Sequence, residues 1–277
     1  MTTITASLVN KLRQMTGAGM MDCKKALQET NGDIDEAVDV LRKKGAAKAA
    51  KRADRDAAEG LSIAKSSSDN TYGIVVEVNC ETDFVAINSD FSAFANSIAD
   101  YALENKVADK DALLATPWEG KTLGEVLIDK TSVIGEKIEV SNYALVSSEG
   151  VAAYNHGANR IGVLVALNSN EETALQAGRD LAMQIAAMNP MAVDADAISQ
   201  EVKDKELKLG REIAEQEGKP EAMLDKIAQG KLQRFFKDNT LMNQSFVKDS
   251  SMNVAAFLKT VNTDLKVKSF TRFQLGA

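Results

Sequence analysis

One pattern occurs twice in this chain and limits the architectures open to it: a hairpin of short apolar strands followed by an apolar-periodic helix. In the first copy, Gly60-Leu-Ser-Ile-Ala-Lys65 turns through residues 66–70 into Tyr72–Asn79, and a helix carrying Phe91, Phe94, Ala95 and Ile98 follows. In the second, Gly150-Val-Ala-Ala-Tyr-Asn155 turns through His156-Gly-Ala158 into Arg160–Asn168. Its helix, near Glu172–Met188, stops before Asn189-Pro190, since proline cannot continue a helix. Short antiparallel sheets with helices packed on one side define an α+β class, here with a duplicated core.

Ahead of the first hairpin, residues 4 to 44 read as three short helices. Ile4, Leu8, Leu12 and Met15 keep helical spacing and Gly17-Ala-Gly19 stops them, while Asp22 is the expected N-cap of a second helix over Cys23–Gln28. Asn31-Gly32 makes a turn, and Asp33 with Glu36 suggests a capping box before Ile34, Ala37, Val38 and Leu41. A unit this small exposes much of its apolar content. Met20 and Met21 either close its mini-core or offer flexible thioethers to a partner. The basic, alanine-rich stretch 42–55 lacks interleaved aromatics for base stacking and reads as a solvated, partly helical linker. Thr122 with Glu125 suggests a second capping box, for a helix through Ile134. From Ile198 to Lys237 the chain turns charged and helical, broken by Gly218 and Pro220, which predicts a helical hairpin with a narrow apolar stripe. A short helix over 251–258 precedes a final strand. The expected organisation is a three-helix unit over 1–52, a core subdomain over 53–148, and a second over 149–277 with the hairpin 198–237 inserted.

The strand Tyr72–Val78 runs into the polar stretch Asn79-Cys-Glu-Thr82, which leaves Asp83 and Phe84 in the loop beyond. Two readings are open there. Phe84 and Val85 turn inward as core while Asp83 caps the helix near Ser89–Phe94, or carboxylate and ring project together from a rigid support. In the second case the carboxylate competes for a partner's cation and the ring wedges into an apolar gap. Other chemistry is scarce. A net charge of −7 argues against a dedicated nucleic-acid site. The chain has one histidine, His156, and two cysteines, Cys23 and Cys80. These are too few for a disulfide-stapled secreted domain or a zinc site, and no local peptidase signature makes Cys80 and His156 a nucleophile and base. No glycine-rich phosphate loop is present, so no bound nucleotide is expected, and neither cofactor nor metal is expected. His156 stands at a hairpin turn, facing solvent or a partner. Met1-Thr-Thr-Ile-Thr-Ala has no basic leader and no apolar run reaches bilayer length, which predicts a cytoplasmic protein without membrane contact.

Two long stretches carry a resemblance. Glu77-Val-Asn-Cys-Glu-Thr-Asp-Phe-Val85 resembles the second signature of the bacterial elongation factor Ts family, and Leu12-Arg-Gln-Met-Thr-Gly-Ala-Gly-Met-Met-Asp-Cys-Lys-Lys-Ala-Leu27 resembles the first. The similarity is dense from Ile4 to about Asn88, thins, and returns at Tyr154–Val165 and Phe270–Phe273. It implies not an enzyme but a guanine-nucleotide exchange factor that binds elongation factor Tu, GDP-bound or nucleotide-free, during translation elongation. It implies a ubiquitin-associated-like fold for the three helices, which grip the partner, with Met20 and Met21 as candidate contacts, and a protruding helical hairpin, to which a dimer contact and another contact both stay open. It implies that Thr82, Asp83, Phe84 and Val85 enter near the partner's magnesium and dislocate it, and that the His156 turn approaches the same partner. One departure stands out: many members continue past the final strand into a C-terminal helical module, whereas this sequence stops at Ala277. The rival expectations are a non-exchange adapter using the three-helix unit and an RNA binder using the basic linker.

Overall fold

The computed structural model describes residues 4–277; Met1-Thr-Thr3, at the start of the stretch read for a leader, lie outside the described residues. The chain divides into two compact units. One comprises the chain up to Ser62, Val76–Ala144 and Gln274–Ala277, and the other Ile63–Val75 and Leu145–Phe273.

The first unit opens with α1 (Ala6–Thr16), α2 (Met20–Glu29) and α3 (Ile34–Ala50). Thr5 caps α1, and Gly17 ends it with a φ of 66° that a side chain would resist. Val9, Leu12, Cys23, Ala26, Leu27 and Ala37 form the buried centre of the three helices. Asp22 does not cap α2, because that helix begins two residues earlier, behind Gly19. Its carboxylate instead takes the Lys48 ammonium at 2.9 Å. The basic stretch 42–55 is largely exposed and partly helical, as expected. Alanine favours helix most of all residues, so α3 runs on to Ala50. It packs beside a later helix of the same unit, where a side chain on Gly45 would meet the Ser132 Oγ at 2.9 Å.

The rest of the first unit is built on β1 (Glu59–Ser66) and β2 (Tyr72–Cys80), whose distal half, the strand ends and turn of residues 63–75, belongs to the second unit. A single helical turn, α4 (Asp83–Ala86), follows β2, then α5 (Ser89–Glu104), α6 (Lys110–Leu114) and the two-residue strands β3 (Pro117–Trp118) and β4 (Lys121–Thr122). Thr122 and Glu125 form the expected capping box of α7 (Leu123–Ile134). β5 (Glu139–Ser147) joins the first hairpin in the order β1-β2-β5. Phe91, Ala95 and Ile98 of α5 are buried, while Phe94 lies edge-on to Trp118 with ring centroids 6.3 Å apart.

The second unit repeats the motif with β6 (Gly150–His156), β7 (Ile161–Leu167) and α8 (Glu172–Met188). β6 and β7 pair antiparallel, Gly150 opposite Leu167 and His156 opposite Ile161. Val163, Val165 and Leu167 share a core with Leu181 and Ile185 of α8. Helix and sheet meet closely at Gly178, where an added Cβ would fall 2.8 Å from the Ala152 Cβ and the Leu167 Cδ1. The hairpin is α9 (Gln200–Gln216) and α10 (Glu221–Asn239), with Gly218 in the left-handed region at the break. The unit closes with β8 (Ser245–Phe246), β9 (Asp249–Asn253), α11 (Val254–Val261) and β10 (Val267–Gln274), the last pairing on β7. Helices with small antiparallel sheets make this the expected α+β fold. No helix among the described residues is long and apolar enough to cross a membrane.

Candidate functional site

The residues beyond β2 are not a loop. Thr82 leaves the strand extended and turns its hydroxyl back to accept the Val85 N–H, which starts α4. The Ala86 and Ile87 N–H groups donate to the Thr82 and Asp83 carbonyls at 3.2 and 3.0 Å, and Asn88 then caps α5. One helical turn sorts its side chains by direction: Val85 and Ala86 are half-buried, while Asp83, Phe84 and Ile87 face water. Phe84 keeps 78% of its surface exposed and Ile87 80%, the highest values among the large apolar side chains described. Phe84 is therefore not core, and Asn88 rather than Asp83 caps α5.

What holds this turn is a carboxylate that the sequence reading missed. Glu136 lies just past α7, and β5 begins only at Glu139, so Glu136 is free to reach across to the end of β2. Its Oε2 accepts the N–H groups of Glu81 and Thr82 at 3.1 and 3.0 Å, and its Oε1 accepts the Thr82 hydroxyl at 2.6 Å. Glu81 returns the grip: its carboxylate accepts the Lys137 N–H at 2.7 Å and pairs with Arg55 at 3.0 Å. Burial pushes the Glu81 carboxyl up, but the Lys137 amide and the Arg55 guanidinium outweigh it and hold the group below its ordinary range. Upstream, the buried Glu77 accepts from the Asn79 and Asn142 side-chain amides, each at 3.1 Å. No local pattern could have named Glu136, which lies 54 positions from Thr82.

The other candidates lie elsewhere. Met20 and Met21 sit in the first turn of α2, 51% and 63% exposed, so they do not close the mini-core. His156 ends β6 in the second unit, exposed, its Nδ1 3.0 Å from the Tyr154 hydroxyl. Cys80 is fully buried and donates to the Thr82 carbonyl at 3.2 Å. Burial above all, with the Glu136 and Glu59 carboxylates, pushes its thiol up to about 12, so it is no nucleophile. Cys23 is likewise fully buried.

The arrangement can present a carboxylate, a phenyl ring and an aliphatic side chain to another surface from one rigid turn. It offers no charge-relay pair, and no group of three or more His, Cys, Asp or Glu side chains suited to a metal ion occurs among the described residues.

Comparison with known proteins fits this geometry to a family. The sequence model of the family described as Elongation factor TS matches residues 81–277. The elongation factor Ts of Christiangramia forsetii is 49% identical over 276 residues, covering 100% of both chains. That of Flavobacterium psychrophilum is 47% identical over 276 residues, again covering 100% of both. That of Amoebophilus asiaticus is 48% identical over 275 residues, 99% of each chain. With a family match over most of its length and relatives identical at nearly half of all positions, the chain belongs to the elongation factor Ts family.

Proposed function

We propose that this protein is a cytoplasmic guanine-nucleotide exchange factor that binds elongation factor Tu and promotes GDP release by disturbing its magnesium site. The observation that carries the reading is Phe84, an aromatic ring 78% exposed on a turn that Glu136 and Thr82 hold in place. On docking, the ring enters an apolar gap of the partner and the Asp83 carboxylate moves in beside the magnesium. Neither residue ligates the ion stably; they displace the side chains and waters that keep it. The ion neutralises much of the diphosphate charge, so its loss weakens GDP binding. Burying the ring yields about 1.5–3 kcal/mol, or about one to two decades in an equilibrium. Coupling is reciprocal: as the factor weakens GDP, GDP weakens the factor by the same ratio, and nucleotide re-entry releases it.

Residues 1–52 act as the docking unit, with Met20 and Met21 on its contact face, and the His156 turn meets the partner from the second core subdomain. An RNA-binding role for the basic stretch fits less well, because Lys44 and Lys48 are already paired with Glu29 and Asp22 at 2.6 and 2.9 Å. The test is direct. Elongation factor Tu loaded with fluorescent GDP is mixed with the protein and excess unlabelled GDP, and an accelerated fluorescence decay is expected. Binding without acceleration would mean an adapter, and would overturn the exchange reading.

A further inference from the structure

We infer that Glu136 is a positioning residue for nucleotide exchange: its carboxylate fixes the direction in which Asp83 and Phe84 leave the end of β2. This rests on the exchange reading above.

Three donors converge on Glu136, and all belong to the two residues that precede α4. A carboxylate in that role makes charge-assisted hydrogen bonds, which are short and directional. The Thr82 hydroxyl is used twice. It donates to Glu136 Oε1 at 2.6 Å and accepts the Val85 N–H at 3.5 Å, so the first turn of α4 inherits its orientation from Glu136.

Glu136 is itself fixed on both sides. Gly135 ends α7 in the left-handed conformation with φ 87°, directly before it. After it, Lys137 donates its N–H to Glu81 and Ile138 donates its N–H to the Thr131 hydroxyl at 3.0 Å. The clamp thus ties the end of β2 to the end of α7, two elements with buried apolar faces of their own. It holds no apolar surface and packs no core. Its three donors are only half-buried, so water can satisfy them when the carboxylate is removed. Loss of Glu136 therefore leaves the fold standing and frees α4 to point elsewhere. A displacement of order 1 Å in a group that must meet a reacting centre costs about two decades in rate.

The experiment separates pointing from folding. Glu136→Ala, Glu136→Gln and Phe84→Ala are made in the full chain, and GDP release from elongation factor Tu is followed against factor concentration. A partly unfolded factor needs more protein to reach the same plateau, whereas a misdirected α4 lowers the plateau itself. The expected result for Glu136→Ala is a plateau rate down ~10-fold or more, with the half-saturating concentration and the melting temperature little changed. Glu136→Gln should recover most of the rate. Its carbonyl oxygen can accept both backbone N–H groups and its amide can meet the Thr82 oxygen. Should the alanine variant fail to fold, Glu136→Asp, too short to reach all three donors, carries the same test on the plateau. An unchanged plateau in Glu136→Ala beside an impaired Phe84→Ala overturns the positioning role and leaves the exchange reading intact. Normal plateaus in both variants overturn the role of the α4 turn as well, and exchange itself is overturned only if the wild-type protein binds elongation factor Tu without accelerating GDP release.

Discussion

Phe84→Ala separates stability from function most sharply, because the ring contributes little to the fold. Truncating a fully buried phenylalanine costs about 3–5 kcal/mol. Phe84 keeps 78% of its surface in water, so only about a fifth of that penalty applies, roughly 0.6–1 kcal/mol. For a chain of this size that is a fall in melting temperature of about 1–4 °C. In the exchange complex the balance reverses. If the ring is buried only on docking, its removal forfeits about 1.5–3 kcal/mol, and GDP release slows roughly 10- to 100-fold. Calorimetry on the free protein and fluorescent-GDP release with elongation factor Tu read the two quantities independently. Asp83→Ala acts on the same step, so the double variant should be less impaired than the product of the single effects. The reasoning is refuted by a melting temperature depressed well beyond 4 °C together with a normal exchange rate per folded molecule.

Other expectations address the supports. Met20→Lys with Met21→Lys should weaken association with elongation factor Tu by about tenfold, measured by titration, without moving the melting temperature, since both side chains are exposed. The Glu81 carboxyl is held below its ordinary value of 4.5, so its stabilisation is complete above that pH and is lost as pH falls through the folded value. The melting-temperature gap between wild type and Glu81→Gln should thus be widest near neutrality and close below pH 4.5. Gly178→Leu should destabilise the second unit by about 1–3 kcal/mol, read by urea denaturation, because even a Cβ there meets Ala152 and Leu167 at 2.8 Å.

What was legible in the sequence follows the range of the forces involved. The capping box of Thr122 and Glu125 and the hairpin break at Gly218 and Pro220 are encoded within a few residues, and the structure contains both. The continuous apolar run Gly162–Leu167 likewise reports the burial of β7. Asp22 reads as a cap only if α2 starts at Cys23; the helix starts at Met20, and Lys48, which takes the carboxylate, lies 26 positions away. The stretch 42–55 reads as solvent-facing from its lysines alone. Its pairing with α2 and its close approach to α7 depend on partners that no local pattern names. Phe84 posed the same problem in reverse: a phenylalanine after a strand predicts core, and the one-turn helix that points it outward is held by Glu136 far along the chain.

The two sealed thiols have a practical corollary. Cys23 and Cys80 are the chain's complete complement of cysteine, and both have no exposed surface. A bulk alkylating reagent finds no native target on the folded protein, so a single introduced thiol is labelled against a silent background. Ile87→Cys, at a position 80% exposed one turn from Phe84, would carry a dye or spin label to the edge of the site. The free and complexed states of α4 can then be watched in a protein whose own cysteines need not be replaced.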